Sequence, residues 1–194
     1  MENTPLLETE RLILRQARRQ DIPALYAIYS DIEVNTFLPW FPLQSEKEAQ
    51  ELFETKYAAV YAQPQGYQYV ICLKEDDVPI GYVHLSMDSS HDLGYGLRKE
   101  FWHRGIVREA AAAVVAQAEK DGFPFITATH DVHNPRSGRV MQALGMRYRY
   151  SYCEQWQPKN IPVTFRMYQL SFGGTDAVYR EYWEKYPHFI KENV

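Results

Sequence analysis

The sequence predicts a single α/β domain of the α+β kind, in which a mixed, mainly antiparallel sheet of seven strands is flanked by helices. Three observations lead there. Seven short segments rich in β-branched and aromatic residues are interleaved with runs of helical period. At 194 residues, 45% hydrophobic and 24% charged, the chain suits one well-cored unit. No repeat, low-complexity tract or Gly/Ser/Pro-rich linker divides it, so residues 1–194 read as one domain.

The elements follow in order. "RLILRQA" (11–17) alternates as a first strand, and Asp21 is placed to cap a helix carrying Leu25, Ile28 and Tyr29 on one face. "FLPWFP" (37–42) breaks helix twice with proline and sets Phe37, Trp40 and Phe41 in a loop. Ser45 and Glu48 form a capping-box pattern, and Ala49, Leu52, Phe53, Tyr57 and Val60 recur behind it at helical spacing. Three strands follow over 67–73, 79–87 and 91–97, the first two joined antiparallel by the acidic turn at Asp76 and Asp77.

An alanine-rich helix precedes the strand "FITAT" (125–129). Asn134 then caps a helix that Pro135 opens and Gly145 ends. Strands near 147–156 and 163–172 make a hairpin. Gly173 and Gly174 separate it from a helical extension over 174–194 with Tyr179, Tyr182, Trp183 and Tyr186 on one stripe. That stripe is expected to pack on the protein's own sheet or on a second copy, as in a homodimer, and not to be catalytic.

Bulk properties exclude several functions. A net charge of −4 argues against a general nucleic-acid binder. The longest small-and-apolar run, 110–116, is too short to cross a bilayer, and the start lacks the basic flank and apolar stretch of a leader, so no membrane partner is expected. Cys72 and Cys153 form neither a disulfide framework nor a zinc spacing, which points to the cytoplasm. "THDVHN" holds His130, Asp131 and His133 without a matching ligand pattern elsewhere, so no metal is expected.

The most informative stretch is "RKEFWHRGIVREAAAAVVAQAEK" (98–120). A basic, aromatic turn runs into the alanine-rich helix with no Ser, Thr, Asp or Asn to cap it. A helix start leaves about four N–H donors free and carries roughly half a positive charge, so an anion can take the place of a cap. Gly105 lets the backbone approach such an anion, and Arg104 and Arg108 supply forked donors. Neither of the common phosphate-loop patterns, G-x-x-x-x-G-K-[ST] and G-x-G-x-x-G, occurs in the chain.

"FWHRGIVREA" resembles the acyl-coenzyme A loop of the GNAT N-acetyltransferase superfamily, [QR]-x-x-G-x-[GA]. Trp102, Gly105, Glu109 and Ala110 match the version found in the branch that acetylates ribosomal-protein N-termini. "NPRSGRVMQALGM" (134–146) resembles that branch's N-x-x-S-x-x-V-x-x-x-x-G-F, and "ETERLILRQARRQDIPALYAIY" resembles its start. The likeness runs over about residues 8–172. His103 stands where the branch has glycine, and Val107 takes the final [GA] place.

The resemblance implies a sheet splayed in its middle, acetyl-CoA as co-substrate, and a primary amine as acceptor. It assigns the coenzyme's pyrophosphate to the turn formed by His103, Arg104, Gly105, Ile106, Val107 and Arg108. Backbone N–H groups at Gly96, Leu97 and Arg98 would meet the pantetheine arm and the carbonyl, with Asn134 touching the arm. Ser137 falls on the buried face of its helix with Val140, Met141 and Leu144. It is the candidate proton donor to the thiolate, because Met141 occupies the usual place of the family's helix tyrosine. His91, Asp92 and Glu154 are the candidate bases, and being consecutive His91 and Asp92 face opposite sides. Phe37, Trp40, Phe41 and Trp156 are expected around the acceptor. A protein N-terminus is the leading acceptor; a small amine, polyamine or aminoglycoside is the alternative, and a non-catalytic acyl-CoA-binding module is the rival of another class.

Overall fold

The structure, a computed structural model, describes residues 2–174 and 177–192. Its first sheet has the order β1-β2-β3-β4-β5, from Leu7–Glu8, Leu12–Arg15, Tyr67–Leu73, Pro79–Leu85 and Leu93–Leu97, each pair antiparallel. The second has the order β6-β8-β7-β9, from Phe125–Asp131, Ile161–Ser171, Arg147–Trp156 and His188–Phe189. The seven expected strands are present, and two two-residue strands, β1 and β9, are added at the edges. Between β5 and β6 the sheets touch through one parallel bridge, Asp92 to Thr127, and then part. This is the splay that the resemblance implied.

Helices cover the sheets on both sides. On one face of the first sheet lie α1 (Ile22–Ser30) and a helix that runs as α2 (Glu46–Leu52), a π-helical stretch Phe53–Ala58 and a last turn α3 (Ala59–Tyr61). Leu25, Ile28, Tyr29, Phe53 and Tyr57 pack there against Val70, Cys72 and Tyr82. On the opposite face α4 (Ile106–Lys120) brings Ile106, Ala110, Ala111, Val114 and Ala118 onto Leu14, Ile71, Val83, Leu93 and Leu97. Its alanines let the helix axis approach the sheet closely. The same core continues through Ile126, Ala128 and Tyr168 of the second sheet and Met141 of α5 (Pro135–Ala143), so one apolar core spans the gap.

Two local expectations are corrected. Asp21 precedes α1 but makes no side-chain cap bond to it. Its carboxylate instead receives the buried Arg15 guanidinium at 2.7 and 3.1 Å, since a buried cation needs a partner more than an exposed helix start does. The C-terminal extension is helical only over α6 (Glu181–Lys185), and residues 175–176 and 193–194 lie outside the described residues. Tyr179, Tyr182, Trp183 and Tyr186 do pack on the chain's own sheet, against Tyr150, Tyr152, Phe165 and Met167.

Candidate active site

The gap between the sheets opens into a cleft of about 960 Å³ that runs from the start of α4 to the loop 36–40. At one end is the uncapped helix start. Gly105 stands at φ +73°, ψ +4°, with no side-chain bond to the helix N–H groups, and the first bond within α4 joins Glu109 N–H to the Gly105 carbonyl. The N–H groups of Ile106, Val107 and Arg108 therefore start the helix without a side-chain partner, and all three residues line the cleft. Glu109 anchors this turn to the first sheet: it accepts from Thr9 at 2.6 Å and from Arg11 Nε at 2.8 Å and Nη2 at 2.6 Å.

His103 also lines the cleft, at φ +62°. That is the left-handed region, where a Cβ costs about 1–2 kcal/mol, so glycine is the natural occupant of this position. Val107 sits inside the right-handed helix, where its Cβ is tolerated. Arg104 does not line the cleft: its guanidinium lies over the Phe101 ring at 5.5 Å, and its carbonyl accepts from Arg11. Arg136 and Arg139 of α5 take its place beside Arg108 in the cleft wall, with Arg136 over the Trp102 ring at 5.2 Å. Both are on the helix whose cap was legible, and their i, i+3 spacing is the signal that would have found them.

In the middle of the cleft β5 forms one lip. The Arg98 N–H donates to Ile80 at 2.9 Å, so by antiparallel alternation Arg98 and Gly96 turn their backbone groups toward β4. Tyr95 and Leu97 turn theirs toward the gap. Of the three backbone donors expected here, Leu97 alone faces the opening; the Arg98 side chain pairs with Glu100 at 2.8 Å. Gly94 and Gly96 are glycines because the rings of His84 and Tyr82 lie directly over them, and a Cβ at either position would collide with the ring.

Alternation along β5 also divides the chemistry between two faces. Asp92 shares a face with His84 and Tyr82, toward α1, whereas Tyr95 points toward α5. There the Tyr95 hydroxyl lies 3.0 Å from Ser137 Oγ and donates to the Ser137 carbonyl at 3.0 Å. Asn134 caps this helix through the Ser137 N–H, and both residues line the cleft. Burial, and then the Asp92 charge, push the Tyr95 hydroxyl well above the usual phenol range, while the Ser137 bond opposes this. The facing strand thus sets a phenol beside the hydroxyl of α5.

Of the three candidate bases the cleft contains Asp92 alone. Burial and the Asp88 charge raise its carboxyl to about 7, against a weaker opposing bond from Thr127. His91, at φ +46°, turns away and wedges its ring between Phe123 (4.8 Å) and Phe125 (5.3 Å). Glu154 lies outside the cleft and accepts from the Tyr186 hydroxyl at 2.9 Å.

The far end is aromatic. Phe37, Trp40 and Trp156 line it with Leu38, Tyr82 and Phe165, whereas Phe41 points outward and is 62% exposed. Trp40 is fixed by its Nε1 on Asn35 Oδ1 at 3.0 Å and by the Lys56 ammonium 4.1 Å from its ring centre. Lys159, from the turn between β7 and β8, donates to the Asn35 carbonyl at 3.1 Å and bridges the two sides of this mouth. Burial lowers Lys56 to about 8, and burial with the Lys56 charge lowers His84 to about 3, leaving His84 a neutral wall of the cleft.

A family model, the acetyltransferase (GNAT) domain, matches residues 11–147. The chain belongs to the GNAT acetyltransferase family. It is an acetyl-CoA-dependent N-acetyltransferase. The enzyme is 29% identical over 148 residues to the uncharacterized N-acetyltransferase YoaA of Bacillus subtilis, covering 74% of this chain and 83% of that one. Its fold is similar to that of a GNAT-family acetyltransferase from Bacillus anthracis (TM-score 0.75, 20% identity, 86% of this chain and 98% of that one). It is similar also to RimL, a ribosomal L7/L12 α-N-protein acetyltransferase solved with coenzyme A (TM-score 0.74, 16% identity, 88% and 100% covered). Among the described residues of the acetyltransferase, no helix is long and apolar enough to cross a membrane, and no three His, Cys, Asp or Glu side chains converge as a metal site.

Proposed function

We propose that the enzyme acetylates the α-amine of a protein or peptide, with Asp92 as base on the acceptor face and the Tyr95–Ser137 pair as proton source on the opposite face. The observation that carries this reading is the acceptor end itself: an aromatic mouth with one carboxyl, Asp92, at its base. The only other carboxylates lining the cleft are Glu33 and Asp131 among the described residues. A polyamine or aminoglycoside, with several positive charges, calls for more. A peptide carries one charge, with apolar and amide groups behind it.

Proton affinities favour the same acceptor. An α-amine near 8 gives its proton to a base of about 7 at a cost of about 1 kcal/mol, whereas a side-chain or polyamine ammonium near 10.4 costs about 5. The chain offers a fitting cradle for the coenzyme. The open left-handed turn at Gly105, the N–H groups of Ile106, Val107 and Arg108, and Arg136 and Arg139 would hold its phosphates. The Leu97 N–H and Asn134 would orient its arm. Bound there, acetyl-CoA supplies the activated acyl group. The chain's own residues then act at each side: Asp92 removes the ammonium proton before attack, and Ser137 Oγ, backed by Tyr95, supplies one to the departing sulfur.

The two cysteines are free thiols, which supports a cytoplasmic setting. The test is an acetylation panel at pH 7.5 of N-terminal peptides, spermidine and an aminoglycoside. Peptides are expected to exceed the others in kcat/KM by at least tenfold. A polyamine or aminoglycoside at the top would overturn the assignment of the acceptor.

A further inference from the structure

The extension after Gly174 lies beyond the span of the family model, yet it is bonded to the turn that delivers Asp92. The turn 86–91 that delivers Asp92 is closed by Ser86 N–H on the Asp92 carbonyl at 2.9 Å. Ser89 of this turn donates to Glu181 of α6 at 2.6 Å. His91 of the same turn packs on Phe125, which in turn lies against Tyr179 at 6.1 Å. Tyr182 stacks on Tyr152 of β7 at 5.0 Å and meets Tyr179 edge-on at 5.1 Å. After burial, the Asp92 charge is the largest influence raising the Tyr182 hydroxyl, and it raises Tyr152 as well. The extension is thus docked on the turn that delivers Asp92.

We propose that this C-terminal segment is part of the enzyme's acid–base machinery, with Tyr182 as a positioning residue that shields Asp92 from bulk water. The inference rests on the reading of Asp92 as the base. Each element packed around Asp92 offers it a different group. Its own turn brings Asp88; β4 brings His84; β5 brings Tyr95; β6 brings Thr127; β7 brings Tyr152; and α6 brings Tyr182, with Glu181 held on Ser89. His84 is neutral, and no cation stands among these groups to stabilise the carboxylate. Burial is the largest influence raising its proton affinity, so surfaces that keep water from this turn bear on it directly. The extension sets one large ring beside this turn, Tyr182, next to the Glu181 that holds Ser89 and backed by Tyr179 and Tyr152.

The experiment is the pH profile of kcat/KM for the full-length enzyme with acetyl-CoA and one peptide acceptor, whose own ionisation is common to all variants. Tyr182→Ala should move the acid limb down by one pH unit or more, raising the ratio of rates at pH 6 and pH 8 about fivefold. Its plateau should fall, because a more hydrated carboxylate is a weaker base. Tyr182→Phe keeps the ring and should keep the parent's limb. If Tyr182→Ala does not fold, Glu181→Ala with Ser89→Ala loosens the same docking, and carbon-detected NMR titration of the Asp92 carboxyl reads the change directly. An acid limb and a carboxyl midpoint unmoved in these variants, with Asp92→Asn inactive, would overturn the proposal. An Asp92→Asn variant of full turnover would overturn the assignment of the base instead.

Discussion

Replacing Asp92 by asparagine should make the enzyme inactive and more stable at once. The Asp92 carboxyl rises from its ordinary 3.8 to about 7 on folding. Its folded form holds a proton that the unfolded chain has released throughout that window, so stability falls as pH rises from about 4 to about 7 and is level above. At ~1.4 kcal/mol per pH unit, the full penalty at pH 8 is about 4 kcal/mol. Asp92 borders the cleft and keeps some water, which reduces the expected figure to about 2 kcal/mol. For a chain of this size that is about 4–8 °C in Tm. At pH 5 the gain should be less than half as large. The assay is a pair of thermal melts, parent and variant, at pH 8 and pH 5, with kcat/KM on a peptide acceptor at pH 8. Turnover should fall about a hundredfold to ten-thousandfold. A variant no more stable than the parent at pH 8, or turnover within threefold of it, would refute the reasoning.

Three further outcomes are expected. Saturating the parent with acetyl-CoA at a hundredfold excess over Kd should add about 2.7 kcal/mol, or roughly 5–11 °C in Tm, and Gly105→Glu should fold but lose this shift because its carboxylate takes the anion's place; a variant keeping the full shift would place the coenzyme elsewhere. Ser137→Ala should slow the chemical step roughly tenfold to a thousandfold with little change in acetyl-CoA affinity, and Tyr95→Phe should do so less; rapid-quench measurement of single turnovers separates chemistry from binding, and unchanged rates would make the pair purely structural. His103→Gly should relieve the left-handed backbone and, after the added entropy of glycine in the unfolded chain, gain about 0.5–1 kcal/mol, read as a rise in Tm of about 1–4 °C; a loss would show that the His103 side chain contributes more than the strain it imposes.

Much of the fold was legible because its signals are local. The strand boundaries at Tyr67–Leu73 and Arg147–Trp156 follow from residue type, and the α5 cap follows from Asn134, Pro135 and Gly145. The uncapped start of α4 was legible for the same reason: its signature is the absence of a short polar residue beside Gly105. What depends on three-dimensional neighbours was not legible. Nothing near Tyr95 in the sequence announces Ser137, forty-two residues away. That Asp92 and not His91 lines the cleft depends on a positive φ and on two phenylalanines from beyond α4. The extension's tyrosines were recognised as a packing stripe, but their approach to Asp92 passes through Ser89, whose partner no spacing could name.

The two glycines of β5 have a consequence for how the enzyme can evolve. A strand can slide along its neighbour in steps of one residue, and each odd step exchanges its two faces. In this strand such a slip would carry Asp92 to the face of α5 and Tyr95 to the face of α1, leaving an intact sheet with its two sides exchanged. Gly94 and Gly96 act as a ratchet against it, because only a residue without a Cβ passes beneath His84 and Tyr82, and a one-step slip would drive Tyr95 under one of those rings. An insertion or deletion in the turn 86–91 should therefore be tolerated only where the register of β5 is kept. The strand itself has a single phase in which both of its faces keep their neighbours.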